Sequence, residues 1–431
     1  MKRQASLSLM IVAGEASGDA HAAALVRALV DAAPEVSFEF FGATGREMRE
    51  AGVESIVATD DLAITGLLEI GRALKHFWRA YRTLKRAGVE RQPDAVILVD
   101  WPDFNLRLAR FFRRRGLRVI YYISPQLWAW RGYRAQSIRR DVDLLLAILP
   151  FEPQWYAERG ISHVEFTGHP LTGEVRARYG REEFCRRHQL DAARPVVALL
   201  PGSRHKELLR ILPHMIEAAR IVRRARPDAQ FVVALAPNRT NAEAEAIINA
   251  SPAVVANNNA THDDGDDVGS GASFADSIRI TRDETREAVA ASDAAAIASG
   301  TATLEAALLE TPLVVVYKES FLNWHTLGRL ITTEHYGLVN LVAGERVAPE
   351  LMQNDFTGAR LAAELLKLLD ADRNAAMRER LRRATVGLGA GGASGRAAHV
   401  ILRALGEWEV EKEAEGAEKA RAKSSVGQNN S

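Results

Sequence analysis

Leu7–Asp19 reads LSLMIVAGEASGD, an apolar run that ends in a glycine-rich turn and leads into an Ala- and Leu-rich stretch. The same order returns where Val196–Leu200 runs into Pro201-Gly202-Ser203-Arg204, and where Ala294–Ala298 runs into Ser299-Gly300-Thr301. A strand, a tight turn and a helix N-terminus together present backbone N–H groups that favour an anion such as phosphate. Because both halves carry this arrangement, the sequence predicts two Rossmann-like, doubly wound α/β domains that face a shared cleft. An enzyme acting on a phosphorylated donor is the leading interpretation.

The composition limits the class of protein. A chain of 431 residues is long enough for two domains. Its 47% of hydrophobic and 26% of charged residues are typical of a globular protein, and a formal net charge of +1 gives no sign of nucleic-acid binding. The single cysteine, Cys185, excludes an intramolecular disulfide and fits a reducing compartment. No apolar run reaches the roughly 20 residues that span a bilayer, so we expect a cytoplasmic protein.

Short runs rich in Val, Ile and Leu alternate with longer mixed segments, which is typical of parallel sheets covered by helices on both faces. These runs are Ala95–Val99, Val119–Ile123, Leu144–Ile148 and Val164–Thr167 in the first half, and Phe231–Ala236 and Leu313–Tyr317 in the second. We expect an N-terminal domain over 1–172, a C-terminal domain over 185–390 and a final helix over 393–406. The polar, Gly-rich stretch 250–277 and the charged tail 407–431 are expected to be disordered.

Residues that suit a nucleotide diphosphate follow the strands of the second half. The Arg204 guanidinium can bind a diphosphate through two parallel hydrogen bonds, a geometry that lysine lacks. A surface or domain-pairing role for Arg204 is the alternative. Glu305, about one turn into the later helix, is placed to hold two ribose hydroxyls. The small residues of the two turns complete the predicted donor site: Gly202, Ser203, Ser299, Gly300 and Thr301.

In the first half the strand Ala95–Val99 ends in Asp100. Ligands of open α/β sheets bind outside the carboxyl ends of the strands, so Asp100 is the predicted general base, with ordinary turn chemistry as the alternative. Asp103 is expected either to cap the following helix or to lie on the acceptor side. Trp128, Trp130 and Arg131 follow the next strand and predict a binding wall, with core packing of one tryptophan as the alternative.

The segment Ile70–Arg86 combines an apolar face with basic residues and contains no acidic residue. A basic amphipathic helix with aromatic residues is typical of an element that lies on an anionic membrane surface. The alternative is a helix that packs its apolar face on its own sheet; Leu67-Leu68 and the basic run Arg113–Arg115 favour the membrane. The predicted membrane contacts are Leu74, Lys75, Phe77, Trp78, Arg79, Tyr81 and Arg82.

Several motifs follow one another along the chain. They are Gly14-Glu15-Ala16-Ser17-Gly18-Asp19, Asp100-Trp-Pro-Asp103-Phe-Asn105, Ser124-Pro-Gln-Leu-Trp128-Ala-Trp130-Arg131, Leu149-Pro-Phe-Glu152, Gly168-His169-Pro170, Leu200-Pro-Gly-Ser-Arg204 and Ser299-Gly-Thr-Ala-Thr-Leu-Glu305. In this order they resemble the lipid-A-disaccharide synthase family, from about Leu7 to Leu405. The sequence departs from that pattern in its longer stretch 250–277 and in Gln126-Leu127, which replaces a smaller pair.

The resemblance implies the GT-B fold of an inverting glycosyltransferase that uses no metal and no cofactor, with the C-terminal helix returning to the N-terminal domain. It implies transfer of 2,3-diacylglucosamine from UDP-2,3-diacylglucosamine to 2,3-diacylglucosamine 1-phosphate through a β-1,6 bond, with release of UDP. This reaction belongs to lipid A biosynthesis in Gram-negative bacteria. Because the acylated substrates reside in the inner membrane, the resemblance also implies peripheral association with the cytoplasmic face of that membrane.

The resemblance assigns roles residue by residue. Asp100 matches the family's proposed base, Arg204 its diphosphate contact, Glu305 its ribose contact and Asn340 a polar donor-site residue. The acceptor side would comprise the first glycine loop and the residues after the next strands, namely Glu15, Ser17, Gly18, Asp103, Trp128, Trp130 and Arg131.

Two other functions stay open at this point. A UDP-sugar epimerase on the same fold would need neither a lipid-docking helix nor a second sugar site. A non-catalytic scaffold would bind lipid or nucleotide without turnover. A homodimer is open as well.

Overall fold

The computed structural model describes residues 6–59, 70–250, 274, 278–319 and 335–428. The chain forms two compact units, one of Met1–Pro170 with Ala390–Ser431 and one of Leu171–Gly389. The first unit ends close to the predicted boundary at 172 and resumes at 390, whereas the second unit begins at Leu171, well before the predicted 185. The end of the chain therefore belongs to the same unit as its beginning.

The first unit has, within those ranges, the strands β1 Ser6–Ala13, β2 Ser37–Thr44, β3 Glu54–Ala58, β4 Ala95–Val99, β5 Arg118–Tyr122, β6 Leu144–Ala147 and β7 Val164–Phe166. They form one parallel sheet in the order β3-β2-β1-β4-β5-β6-β7. The strand order changes direction between β1 and β4. In a doubly wound sheet this switch point is where ligands bind, at the carboxyl ends of the strands.

The helices of this unit that the structure describes are α1 Ala16–Ala32, α2 Arg46–Glu50, α3 Ile70–Arg91, α4 Pro102–Arg113, α5 Leu127–Trp130, a 3₁₀ turn Gly132–Arg134, α6 Ala135–Asp141 and α7 Glu152–Ala157. They cover both faces of the sheet, and successive side chains of β1 accordingly belong to two different apolar clusters. Leu9 and Ile11 belong to one apolar cluster, and Met10 and Val12 to the other. A strand buried on both faces needs a continuous apolar run, which is why LSLMIVA reads as it does.

The second unit repeats the design with the strands β8 Val196–Leu200, β9 Gln230–Leu235, β10 Ile278–Arg282, β11 Ala294–Ala298, β12 Leu313–Tyr317 and β13 Glu350–Met352. Their order in the described part of the sheet is β10-β9-β8-β11-β12-β13, all parallel, so its switch point lies between β8 and β11. The helices described here are α8 Leu171–Glu174, α9 Arg181–Arg187, α10 His205–Ala225, α11 Asn241–Ala250, α12 Thr285–Ala290, α13 Thr301–Leu308, α14 Leu338–Ala343, α15 Gly358–Leu368 and α16 Ala371–Val386.

The last helix, α17, spans Ala393–Gln428 and packs on the first unit through residues such as Ala397 and Ile401. The predicted end at 406 and the disordered tail from 407 are therefore wrong over 407–428. Two side chains of this added part contact the first unit. The Arg118 guanidinium lies 5.0 Å from the centre of the Trp408 ring and donates to Glu411 at 2.7 Å.

Two further predictions fall largely outside the described residues. Of the stretch 250–277, Ala250 ends α11 and Phe274 packs beside Phe231 with ring centroids 6.4 Å apart. The remaining residues of that stretch, and Leu67-Leu68, are not among those described. Across the described ranges, no helix is long and apolar enough to cross a membrane. The two parallel α/β sheets and the return of the C-terminal helix confirm the predicted fold class.

Candidate active site

Asp100 lies at the switch point of the first sheet, immediately after β4. Asp100 and Trp101 both adopt left-handed backbone conformations, with φ of 49° and 51°. Such conformations are uncommon for residues other than glycine and cluster at functional sites. The Asp100 carbonyl accepts hydrogen bonds from Tyr121 Oη at 2.6 Å and from Asn105 Nδ2 at 2.8 Å. These two side chains stabilise the turn that presents Asp100.

The Asp100 carboxyl sits in an environment that suits a base. Burial raises its pKa above the usual range, and the negative charge of Glu15 raises it further, while a bond from the Trp101 N–H acts in the opposite direction. A carboxylate with a raised pKa accepts a proton more readily from a sugar hydroxyl. The structure thus brings the charge of Glu15, from the loop after β1, near Asp100, from the loop after β4.

The glycine loop after β1 packs against the Asp100 turn. A Cβ on Gly14 would lie 2.0 Å from Trp101 Cδ2, so only glycine allows this contact. Ser17 is exposed and Gly18 is buried in the first turn of α1. Asp19 accepts hydrogen bonds from backbone N–H groups at the start of α2, at 2.7 and 2.8 Å. The loop therefore presents Ser17 at the surface and uses Asp19 for structure.

Asp103 does not cap α4, which corrects one of the two predicted roles. The N-cap of α4 is Trp101, and Asp103 lies in the first turn. The Asp103 carboxylate accepts from Arg131 at 2.8 Å and lies 2.6 Å from Arg134 in a salt bridge. Burial opposes its ionisation, but hydrogen bonds and charges of the two arginines lower the pKa of Asp103. The carboxylate thus links α4 to the segment after β5.

Trp128 lies inside the first unit, so its predicted place on an open wall gives way to the core-packing alternative. Its indole Nε1 donates to the fully buried Glu152 at 3.1 Å. The other Glu152 oxygen accepts from the N–H groups of Ile148 and Leu149 at 3.1 and 2.9 Å. Burial raises the pKa of Glu152 to about 7, although these hydrogen bonds favour the charged form. Trp130 ends α5, and its side chain is not among those described.

The loop after β8 is shaped by a carboxylate that the sequence analysis did not select. Glu207 Oε2 accepts from the N–H groups of Ser203 and Arg204 at 3.1 and 3.2 Å, and Oε1 accepts from Arg204 Nη1 at 2.8 Å. Gly202 has φ of 106°, and a Cβ there would lie 2.4 Å from Glu207 Oε2. Only glycine therefore fits this turn. Ser203 and Arg204 are exposed at the start of α10.

The second loop of this switch point follows β11. The Ser299 hydroxyl donates to the Tyr336 carbonyl at 2.8 Å, and Thr301 begins α13. Glu305 Oε1 accepts from Arg286 Nε and Nη2 at 3.2 and 2.8 Å. A third nitrogen of Arg286, Nη1, donates to the Glu174 carbonyl at 2.9 Å. Arg286 thus sets the direction of the Glu305 carboxylate.

Asn340 is fully buried in the second unit. Its amide nitrogen donates to the Ala348 carbonyl and to Glu350 Oε1 at 2.8 and 2.9 Å, and its amide oxygen accepts from the Ala348 N–H at 2.8 Å. In this arrangement Asn340 supports the loop around α14. Its role as a polar donor-site residue stays a prediction.

The helix α3 divides its aromatic residues between two surroundings. Phe77 packs against Trp101 and Phe104, with ring centroids 5.7 and 6.4 Å apart, and Tyr81 meets Phe104 at 5.8 Å. Trp78 is 56% exposed. The packing alternative therefore holds for Phe77 and Tyr81, while Trp78, Arg79 and Arg82 remain at the surface. The side chains of Leu74 and Lys75 lie outside the described set.

Three supporting residues escaped the sequence reasoning, for different reasons. Glu207 stands three residues after the N-cap Arg204, which is a recognisable capping-box spacing. Glu152 was part of a quoted motif, but only its burial shows that it holds Trp128. Arg286 is separated from Glu305 by 19 positions, and no local pattern connects them.

Glycine turns at the switch points of two parallel α/β units define the class as a GT-B glycosyltransferase fold. The profile of the lipid-A-disaccharide synthetase family matches residues 9–263 and 273–401 of the chain. The chain belongs to this family.

Relatives agree with that assignment, and solved structures share the fold. The lipid-A-disaccharide synthase of Geobacter sulfurreducens is 41% identical over 409 residues, covering 94% of this chain and 100% of that protein. That of Trichlorobacter lovleyi is 42% identical over 398 residues, covering 91% and 96%. UDP-GlcNAc 2-epimerase from Neisseria meningitidis, solved with UDP-GlcNAc, has a TM-score of 0.58 at 10% identity, covering 92% of this chain and 99% of its own. MurG from Acinetobacter baumannii has 0.53 at 13%, covering 93% and 99%. At such low identity the two structures show the fold alone.

Proposed function

We propose that this chain transfers 2,3-diacylglucosamine from UDP-2,3-diacylglucosamine to 2,3-diacylglucosamine 1-phosphate, forming a β-1,6 bond and releasing UDP. The observation that carries the proposal is the family match across nearly the whole chain, at 41% identity to a named lipid-A-disaccharide synthase. The geometry of the two switch points supports the chemistry. One presents a carboxylate of raised pKa, and the other presents an arginine on a glycine turn.

Asp100 acts as the general base in this reaction. Its carboxylate takes the proton from the acceptor 6-hydroxyl while that oxygen attacks the anomeric carbon of the donor. The bond between this carbon and the UDP oxygen breaks, and attack from the opposite side inverts α to β. The left-handed turn at Asp100 and Trp101, held by Asn105 and Tyr121, keeps the carboxylate in place.

The departing UDP carries the negative charge that develops in the transition state. Arg204 and the N–H groups at the start of α10 offset this charge, and Glu305 binds the ribose hydroxyls. Arg286 occupies Glu305 Oε1 with two hydrogen bonds and so aims the carboxylate. No step of this mechanism calls for a metal ion.

The acylated substrates place the enzyme at a membrane surface, which we assign to the cytoplasmic face of the inner membrane. The exposed Trp78 and the basic residues Arg79 and Arg82 of α3 form the contact. Arg82 lies 5.2 Å from the centre of the Trp78 ring. An indole beside cationic groups suits the boundary between water and anionic headgroups.

The membrane contact is tested by sedimentation with vesicles that contain phosphatidylglycerol. Each of Arg79→Gln and Arg82→Gln should weaken binding about fivefold, since a basic residue near such a surface contributes about 1 kcal/mol. Trp78→Ser should weaken it as well. Val386→Ser is the matched control, because Val386 is an exposed apolar residue of the second unit. Equal binding by all four variants and the wild type would exclude α3 as the contact.

The activity is tested by mass spectrometry of a reaction containing both proposed substrates together with EDTA. The expected product is a disaccharide 1-phosphate. UDP release without this product would indicate hydrolysis or another acceptor. Conversion of a UDP-sugar to its epimer would favour the epimerase alternative, and UDP binding without any turnover would favour the scaffold.

A further inference from the structure

A cavity in the first unit lies next to the Asp100 turn, and the proposed roles of Asp100, Arg204 and Glu305 do not involve it. Its volume is about 270 Å³, close to the lower limit of about 300 Å³ for small-molecule pockets. Helix α4 forms one wall, and the segment from Tyr133 to Asp141 forms the other. The charged residues of the lining are Arg107, Arg110, Arg134, Arg140, Asp103 and Asp141.

The charges of the lining leave a positive excess. Arg134 is paired with Asp103 at 2.6 Å, and Arg140 with the buried Asp141 at 2.6 Å. For Arg107 and Arg110, no carboxylate of the described residues lies within ion-pair distance. Both are exposed and stand three positions apart on α4, so their side chains share one face of the helix. Two cationic groups thus remain to meet an anion.

The place of the cavity in the fold relates it to the base. Its wall begins at Pro102, two residues after Asp100, so the two Cα atoms are within about 8 Å of each other. In the proposed acceptor, the carbons that carry the 1-phosphate and the 6-hydroxymethyl group flank the ring oxygen. A site for that phosphate must therefore lie close to the base, and the Pro102 end of this cavity meets that requirement.

We infer that the cavity binds the 1-phosphate of the acceptor sugar, with Arg107 and Arg110 as its main contacts. The inference rests on the proposed function, in which Arg204 binds the diphosphate of the donor. Arginine suits this task because its planar guanidinium makes paired hydrogen bonds to phosphate oxygens. The paired Arg134 holds Asp103, and with it the start of α4, in position. Binding of the phosphate orients the ring so that the 6-hydroxyl reaches Asp100.

The test compares Arg107→Gln/Arg110→Gln with Arg27→Gln/Arg139→Gln, which removes two exposed charges of the same unit outside the cavity. In neutral detergent micelles, the first variant should raise KM for the acceptor about 10- to 100-fold, with KM for the donor unchanged. The control should keep both constants. Thermal unfolding of all variants establishes that they fold.

A second measurement does not depend on turnover. Wild-type protein should bind 2,3-diacylglucosamine 1-phosphate more tightly than its dephosphorylated form, and the Arg107→Gln/Arg110→Gln variant should lose this preference. If wild-type protein makes no disaccharide but this preference is lost in the variant, the proposed function fails and the phosphate site stands. If the preference is unchanged while binding to phosphatidylglycerol vesicles falls, the cavity serves a lipid headgroup and the inference is overturned. If neither changes, it is overturned as well.

Discussion

The loops after β1 and β8 share a strand–glycine turn–helix pattern in sequence, but they differ in the charged groups that surround them. Both connect the first strand of a doubly wound sheet to its helix through glycine. In the first unit, Gly14 gives room to the Trp101 indole, and Glu15 adds negative charge near Asp100. In the second unit, Gly202 permits a positive φ, and Glu207 ties down a loop that presents Arg204. The first loop therefore favours taking up a proton, and the second favours holding an anion.

The difference extends to buried carboxyls farther from the loops. In the first unit, burial dominates and raises the pKa of both Asp100 and Glu152. In the second unit, burial also opposes ionisation of Glu287, but hydrogen bonds from Arg178 lower the pKa. The same residue type thus becomes a proton acceptor or a fixed anion according to whether an arginine faces it.

Removal of the Asp100 carboxylate tests whether the first unit accepts a proton in the reaction. Asp100→Asn should lower kcat by about 10²- to 10⁴-fold, because a general base contributes in that range. Binding of UDP should stay the same. Steady-state kinetics and UDP titration measure the two quantities, with Asp31→Asn on the exposed side of α1 as the control. Near-normal turnover of Asp100→Asn would remove this residue from the mechanism.

The pH dependence of stability should separate the two kinds of carboxyl. The folded-state pKa of Glu152 is about 7 against the ordinary 4.5, so its stabilising contribution is complete below 4.5 and is lost as the pH rises through 7. The free energy of unfolding of the wild type should therefore fall by about 3 kcal/mol relative to Glu152→Gln over this range. Urea unfolding at about pH 5 and about pH 8 gives the difference.

Glu287→Gln is the matched comparison for that experiment. Because the pKa of Glu287 is lowered, its titration falls below the same pH window, and its contribution is lost only as the medium becomes acidic. The difference between this variant and the wild type should stay constant from about pH 5 to about pH 8. Parallel pH profiles for the two variants would contradict the contrast between the units.

Substitution of Gly202 and of Gly14 should produce different defects, the first in UDP binding and the second in kcat. Gly202→Ala brings a Cβ within 2.4 Å of Glu207 Oε2 at a positive φ, so UDP should bind about 10- to 100-fold more weakly. Gly14→Ala displaces Trp101 and should lower kcat with UDP affinity unchanged. Gly180→Ala is the control, since beyond its chain neighbours no atom of the described residues lies within 4 Å of the added carbon. Loss of UDP affinity in both loop variants would abolish the distinction.

The contact between Arg286 and Glu305 in the second unit should make a modest contribution to UDP binding. Arg286→Gln removes the two hydrogen bonds that aim Glu305 and should weaken UDP binding about tenfold. Arg286→Lys should restore little, because lysine cannot make the paired contact. Calorimetric titration with UDP and with pyrophosphate, which lacks the ribose, distinguishes a ribose contact from a phosphate contact. Equal losses for both ligands would place Arg286 at the diphosphate instead.

Local sequence patterns were enough to predict the two parallel sheets, their glycine turns and the family. These features depend on neighbouring residues, since a strand buried on both faces needs a continuous apolar run and a tight turn needs glycine. The same local reasoning located Asp100 and Arg204 at the carboxyl ends of β4 and β8.

The interaction partners of these residues depend on the tertiary structure. The buried Trp128 donates its indole N–H to Glu152, 24 positions away. Asp103 does not cap α4 but accepts a hydrogen bond from Arg131, 28 positions away. Past 407, the helix α17 contacts the first unit where Arg118 lies against Trp408 and Glu411. Such contacts join residues that are distant along the chain, and their energies depend on burial and charge that no local pattern encodes.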